Sequence, residues 1–212
     1  LIDWTFTTTK PWRITADTAV DSLTHAIEAY VSKKAFEYTD TFALAAMPAI
    51  VKNVRIACKE PENATARKSL MLAASQAGMA FSNSSVALVH GMSRPIGAHF
   101  HVTHGLSNAM LLPTVTEFSI KGHEKRYATC ARAMKWASEK DNDAIACSKL
   151  IESLFILNDD LKVPSPRILG HSADQAMLKL MASQALASGS PQNNPRVPTL
   201  NQIIQLYEEV WR

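Results

Sequence analysis

Four residues combine ligand chemistry with telling spacing: Asp21, His25, His90 and His104. Imidazole nitrogen and carboxylate oxygen together suit a borderline first-row divalent ion such as iron(II), zinc, cobalt, nickel or manganese. Asp21 and His25 stand four apart in AVDSLTHAIEAY, residues 19–30. That interval puts two side chains on one face of a helix. His90 and His104 belong to VHGMSRPIGAHFHVTHGLSNAMLLP, residues 89–113, which holds four of the seven histidines. Three chain segments supplying four ligands can leave a coordination position open, and an open position separates a catalytic metal site from a structural one.

The same residues admit plainer readings. A lone Asp-x-x-x-His pair is common. His25 could be a hydrogen-bonded core histidine, and Asp21 a carboxylate placed to favour a helix dipole. His99 and His101 read as half-exposed loop residues, and His123 and His171, beside Gly122 and Gly170, as solvated ones. Arg94, one turn after His90, is either a surface charge or a cation beside the site. In the second case it repels a metal and attracts an anionic group.

Helices must position these groups. Apolar periodicity and capping residues predict helices over 15–32, 38–59, 62–81, 86–94, 105–118, 124–137, 142–161, 172–188 and 199–211. Pro48 predicts a kink in the second. Pro95 and Gly97 are expected to end the fourth, leaving 99–103 as a crossing loop. Residues 1–14 (LIDWTFTTTKPWRI) read as an irregular arm whose Trp4, Phe6 and Trp12 need a surface to pack on. No alternating strand run is found, so the fold class is all-α, an irregular helical bundle.

Composition narrows the rest. The chain of 212 residues is 47% hydrophobic and 19% charged, which describes a globular core. Its net charge of +3 is dispersed, arguing against nucleic acid or an acidic membrane surface as partner. No apolar stretch is expected to reach membrane-spanning length. Cys58, Cys130 and Cys147 are odd in number and far apart, which predicts buried free thiols and a cytoplasmic location. Neither GxGxxG nor GxxxxGK[ST] occurs, so no phosphate-cradling glycine loop is present. The opening on Leu1 without Met suggests a fragment or trimmed chain.

From Thr15 onward the chain resembles the C-terminal domain of the iron-containing (group III) alcohol dehydrogenases. Residues 21–30 match D-[AS]-L-T-H-A-I-E-A-Y, and residues 90–113 match H-G-M-x-x-P-[IL]-G-A…H-G-[LV]-[SA]-N-A-x-L-L-P. The resemblance implies that Asp21, His25, His90 and His104 are metal ligands, with Fe2+ foremost and Zn2+, Co2+, Ni2+ or Mn2+ as alternatives. It implies the helical domain of the dehydroquinate synthase-like fold over residues 15–212. It also implies a metal acting as Lewis acid on an alcohol or aldehyde oxygen, with NAD(P) held by a nucleotide-binding domain that has no counterpart in these residues. A chain without that domain is not expected to be an efficient dehydrogenase by itself. Its partners would be a small alcohol or aldehyde, the nucleotide-binding half, or a second copy. The alternative is a standalone or redesigned scaffold with no dehydrogenase role. Three positions depart from the family pattern: Arg94 where histidine is frequent, Thr103 for proline and Ala19 for glycine.

Overall fold

The computed structural model describes residues 2–212, and among these every regular element is helical. Nine α-helices follow in order: α1 (Trp12–Val31), α2 (Glu37–Lys59), α3 (Ala64–Asn83), α4 (Leu88–Phe100), α5 (His104–Ile120), α6 (Glu124–Ala133), α7 (Asp143–Asp160), α8 (Gln175–Ala187) and α9 (Leu200–Val210). Short 3-10 turns occupy Trp4–Thr7 and Ser190–Asn193.

Helix α1 is the hub. It packs on α2, α3, α4, α5 and α6, and its buried residues run nearly unbroken from Thr15 to Val31. Helix α5 is apolar on almost every side, with buried residues from Leu106 to Ile120, as expected of a helix surrounded by others. Polar caps set many of the starts. Asn63, Asn142, Asp174 and Thr199 each accept a hydrogen bond from the first turn of α3, α7, α8 and α9, satisfying an otherwise orphaned N–H.

Several boundaries differ from the sequence reading, each for a local reason. Helix α1 begins at Trp12, because Pro11 opens it with a suitable φ and its carbonyl accepts from the Thr15 N–H. The arm before it contains a 3-10 turn capped by Asp3, which packs on α3. Trp4 is half-buried there, whereas Phe6 remains 80% exposed. Helix α2 continues through Pro48.

Helix α4 runs through Pro95 and Gly97 to Phe100. It stops where His101 turns left-handed (φ 54°) and returns its N–H to the Gly97 carbonyl. His99 is therefore helical and bonds Gln184 at 2.8 Å; the expected loop contracts to three residues. Helix α6 ends early because Lys135 adopts φ 61°. Helix α2 also corrects the membrane expectation: by length and composition it could span a bilayer, with a mean hydropathy of 1.3. Its apolar face is instead covered by α1 and α3. Cys58, Cys130 and Cys147 are buried and free.

Candidate metal centre

Helix α1 presents Asp21, His25 and Glu28 along one face, at intervals of four and three. Helix α4 contributes His90 from its first turn, and α5 contributes His104 as its first residue. Glycine makes the α5 approach possible. A Cβ on Gly105 would lie 2.6 Å from the Asp17 carbonyl oxygen, so only glycine lets the start of α5 press on the α1 backbone. His104 is thereby delivered beside Asp21. Gly91 does the same on the far side, where the Pro191 ring lies 2.8 Å from a notional Cβ.

The ligand atoms of Asp21, His25, His90 and His104 all lie within 4.8 Å of one another. His90 Nε2 is 2.9 Å from His25 Nε2. Asp21 Oδ1 is 3.6 Å from both His90 Nε2 and His104 Nε2. Ligands about 2.1 Å from one ion are separated by about 3.0–3.4 Å along the edges of an octahedron or tetrahedron. The observed spacings bracket that range. Two imidazole nitrogens 2.9 Å apart with lone pairs facing would repel, so this geometry calls for a proton or a metal ion between them. The donor set therefore fits a divalent ion.

Glu28, unremarked in the sequence reading, is what holds His90. Its carboxylate is 3% exposed and accepts from the backbone N–H groups of Ala87 (2.8 Å) and Val89 (2.5 Å), where α4 begins. It also accepts from His90 Nδ1 at 2.7 Å. One buried anion thus caps a helix start and fixes the imidazole, directing Nε2 at the other ligands. The signal was in the sequence: Glu28 follows His25 by three residues on the same stripe.

Asn108 is the second residue the sequence reading missed, one turn after His104. It is fully buried, and its amide nitrogen lies 2.6 Å from Asp21 Oδ1, 3.1 Å from His104 Nε2 and 3.2 Å from His90 Nε2. Its Oδ1 has no hydrogen-bond partner among the described residues. A buried amide oxygen without a partner is costly, so its retention beside four ligand atoms marks a polar centre.

The electrostatics are those of a coupled cluster. Burial and the neighbouring His90 push His25 down to about 4. Burial also opposes charge on His90, but the carboxylates of Asp21 and Glu28 prevail and raise it to about 9. Burial works to raise Asp21; bonding to His90 and Asn108 and the charge of His25 outweigh it and lower the carboxyl. His104 is lowered, chiefly by burial. Phe81 stacks on His25 with ring centroids 4.3 Å apart.

The outer side is open. A cleft of about 630 Å3 reaches Asp21 and His104 and is bordered by Ile14, Val102, His101 and His171. His101 and His171, expected to be bystanders, line this cleft; His171 also packs against Phe100 at 5.2 Å. Arg94 is exposed, bonded to Ser190 at 3.0 Å, and its charge helps depress His104.

Fold and site together define a helical domain with an Asp–His–His–His donor cluster at the mouth of a cleft. The chain belongs to the Fe-containing alcohol dehydrogenase family, whose C-terminal model matches residues 15–211. It is 38% identical to the probable alcohol dehydrogenase EutG of Escherichia coli over 208 residues, which are 98% of this chain and 51% of that protein. It is 33% identical to 1,3-propanediol dehydrogenase of Citrobacter freundii, covering 95% of this chain and 52% of that one. A crystal structure of 1,3-propanediol oxidoreductase superposes with a TM-score of 0.94 at 32% identity, over 98% of this chain and 54% of the other. The alcohol dehydrogenase of Oenococcus oeni gives 0.93 at 31% identity, with 98% and 54% covered. The chain spans about half the length of the curated relatives it matches.

Proposed function

We propose that this domain is the metal-holding half of an NAD(P)-dependent alcohol dehydrogenase acting on a small alcohol or aldehyde. The observation that carries the reading is the convergence of Asp21, His25, His90 and His104 from three helices, with Asp21 and His104 bordering an open cleft. These four residues would hold the ion, iron(II) foremost by family, with zinc, cobalt, nickel or manganese compatible with the donors. When bound there, a divalent ion supplies Lewis-acid polarisation of an alcohol or carbonyl oxygen.

The chain's own residues supply the rest of the arrangement. Glu28 keeps the Nδ1 proton of His90 and so holds the ring with Nε2 inward. Asn108 donates to Asp21 Oδ1 and orients that carboxylate. Phe81 covers one face of the His25 ring. Ile14, Val102, Leu106 and Leu169 give the cleft an apolar wall suited to a short carbon chain. NAD(P) would be carried by a nucleotide-binding domain, and the exposed Phe6, Trp12 and Ile14 offer apolar surface for that domain to cover. Three buried free thiols favour the cytoplasm.

Two measurements test this. Calorimetric titration of chelator-stripped protein with Zn2+ is expected to give one site, lost in His25→Ala. Mixing the metal-loaded domain with a family nucleotide-binding domain is expected to restore alcohol-dependent NAD(P)H formation. One-site metal binding with no such activity would leave a metal-binding scaffold and remove the dehydrogenase role.

A further inference from the structure

A second cavity lies on another side of α1, between it, the N-terminal arm and α3. Its volume is about 90 Å3, well above the ~10–15 Å3 that one water needs. Thr7, Lys10, Thr15, Thr18, Ser22 and Arg67 provide its polar lining, and no carboxylate borders it. Arg67 is only 3% exposed. Its Nε donates to the Pro61 carbonyl and its Nη1 to Thr15 Oγ1, both at 2.8 Å. Among the described residues, Nη2 has no hydrogen-bond partner, and neither Arg67 nor Lys10 forms an ion pair.

A buried guanidinium without a counter-ion is expensive to keep, and a second cation beside it raises the cost. Lys10 is half-buried, and it is held below its usual value by burial and by the charge of Arg67. Among the described residues its one side-chain bond is long, 3.5 Å to Thr18 Oγ1. The hydroxyls do not all serve as donors. Those of Thr7, Thr18 and Ser22 give their protons to the backbone carbonyls of Trp4, Ile14 and Thr18. Thr15 Oγ1 accepts from Arg67 and keeps its own proton free. Three donors remain for a guest: Arg67 Nη2, Lys10 Nζ and the Thr15 hydroxyl.

From this cavity, its two unpaired cations and its free hydroxyl, we infer a binding site for a small tetrahedral oxyanion of the phosphate class, separate from the metal centre. Arginine suits such a guest because its planar fork matches two phosphate oxygens, while lysine adds a point charge. The site joins the arm to the bundle: Lys10 and Thr7 come from the arm, Thr15 from α1 and Arg67 from α3. Its occupant would clamp the arm onto α3, and that arm leads directly into the helix carrying Asp21 and His25.

The test is calorimetry of the full chain with sodium phosphate and with sodium sulfate at constant ionic strength, with sodium acetate and sodium chloride as separate arms. Thermal unfolding is followed under the same conditions. One-to-one phosphate or sulfate binding with a raised Tm is expected, weakened at least tenfold in Lys10→Gln and in Thr15→Val, with Zn2+ affinity unchanged. Arg67→Gln also removes two structural hydrogen bonds, so Lys10→Gln is the deciding variant. Acetate binding as tightly as phosphate, a Tm effect equal to that of chloride, or phosphate binding unaltered in Lys10→Gln would each overturn the assignment.

Discussion

The two sides of the candidate metal centre are built differently. On the inner side, His90 is 3% exposed, its Nδ1 is held by Glu28, and Glu28 in turn holds the start of α4. On the outer side, the His104 side chain is half exposed, at the first residue of a helix with no side-chain cap, and borders an open cleft. The inner ligand is tied into the fold, so changing its support should cost stability and metal affinity together. The outer ligand is tied only to its helix, so changing it should cost metal affinity alone. A site that admits substrate needs this asymmetry: one rigid wall and one accessible edge.

The largest effect is expected at Glu28. Glu28→Ala leaves the Ala87 and Val89 N–H groups and His90 Nδ1 without their acceptor. Removing one partner of such a buried polar network costs about 3–5 kcal/mol, and loss of a residue that orients a metal-bound histidine lowers affinity about 10–100-fold. Chemical denaturation and metal titration of the same variant check both.

Gly105→Ala comes next. The added methyl meets the Asp17 backbone and pushes α5 away from α1, at about 1–3 kcal/mol. His104 moves away from Asp21 with it, so metal affinity should fall although no ligand is altered. If affinity stays at the wild-type value, the approach of α5 does not set the site.

His104→Ala should change stability by no more than about 0.5 kcal/mol, as expected of an exposed position, while weakening metal binding strongly. A large loss of stability there would erase the distinction between the two sides. The smallest effect belongs to Arg94→Gln. Removing a cation near His104 should tighten divalent-metal binding by roughly 0.5 kcal/mol, an effect that shrinks with added salt.

Much of this was legible in the sequence, for physical reasons. Helical periodicity and caps such as Asn63, Asn142 and Thr199 place the bundle, because burial of one face and satisfaction of end groups are local demands. Asp21 and His25 declared themselves by a one-turn interval. Glu28 and Asn108 were equally visible by spacing, three and four residues from a candidate ligand. Spacing alone does not single them out, because a lone Glu or Asn on a helix is ordinarily solvated. The course of α4 through Pro95 was not legible: its end depends on His101 taking a left-handed φ, which the surrounding packing decides. Nor was Lys10 beside Arg67, since only the docking of the arm on α3 brings them together.

Whether these four side chains form one metal site is decided by a cobalt(II) titration of chelator-stripped protein, read by visible absorption. One Co2+ per chain is expected, with ligand-field bands that are abolished in His90→Ala and altered in both Asp21→Asn and His104→Ala. Bands unchanged in His90→Ala, or no bound cobalt in the folded wild-type protein, would contradict this expectation.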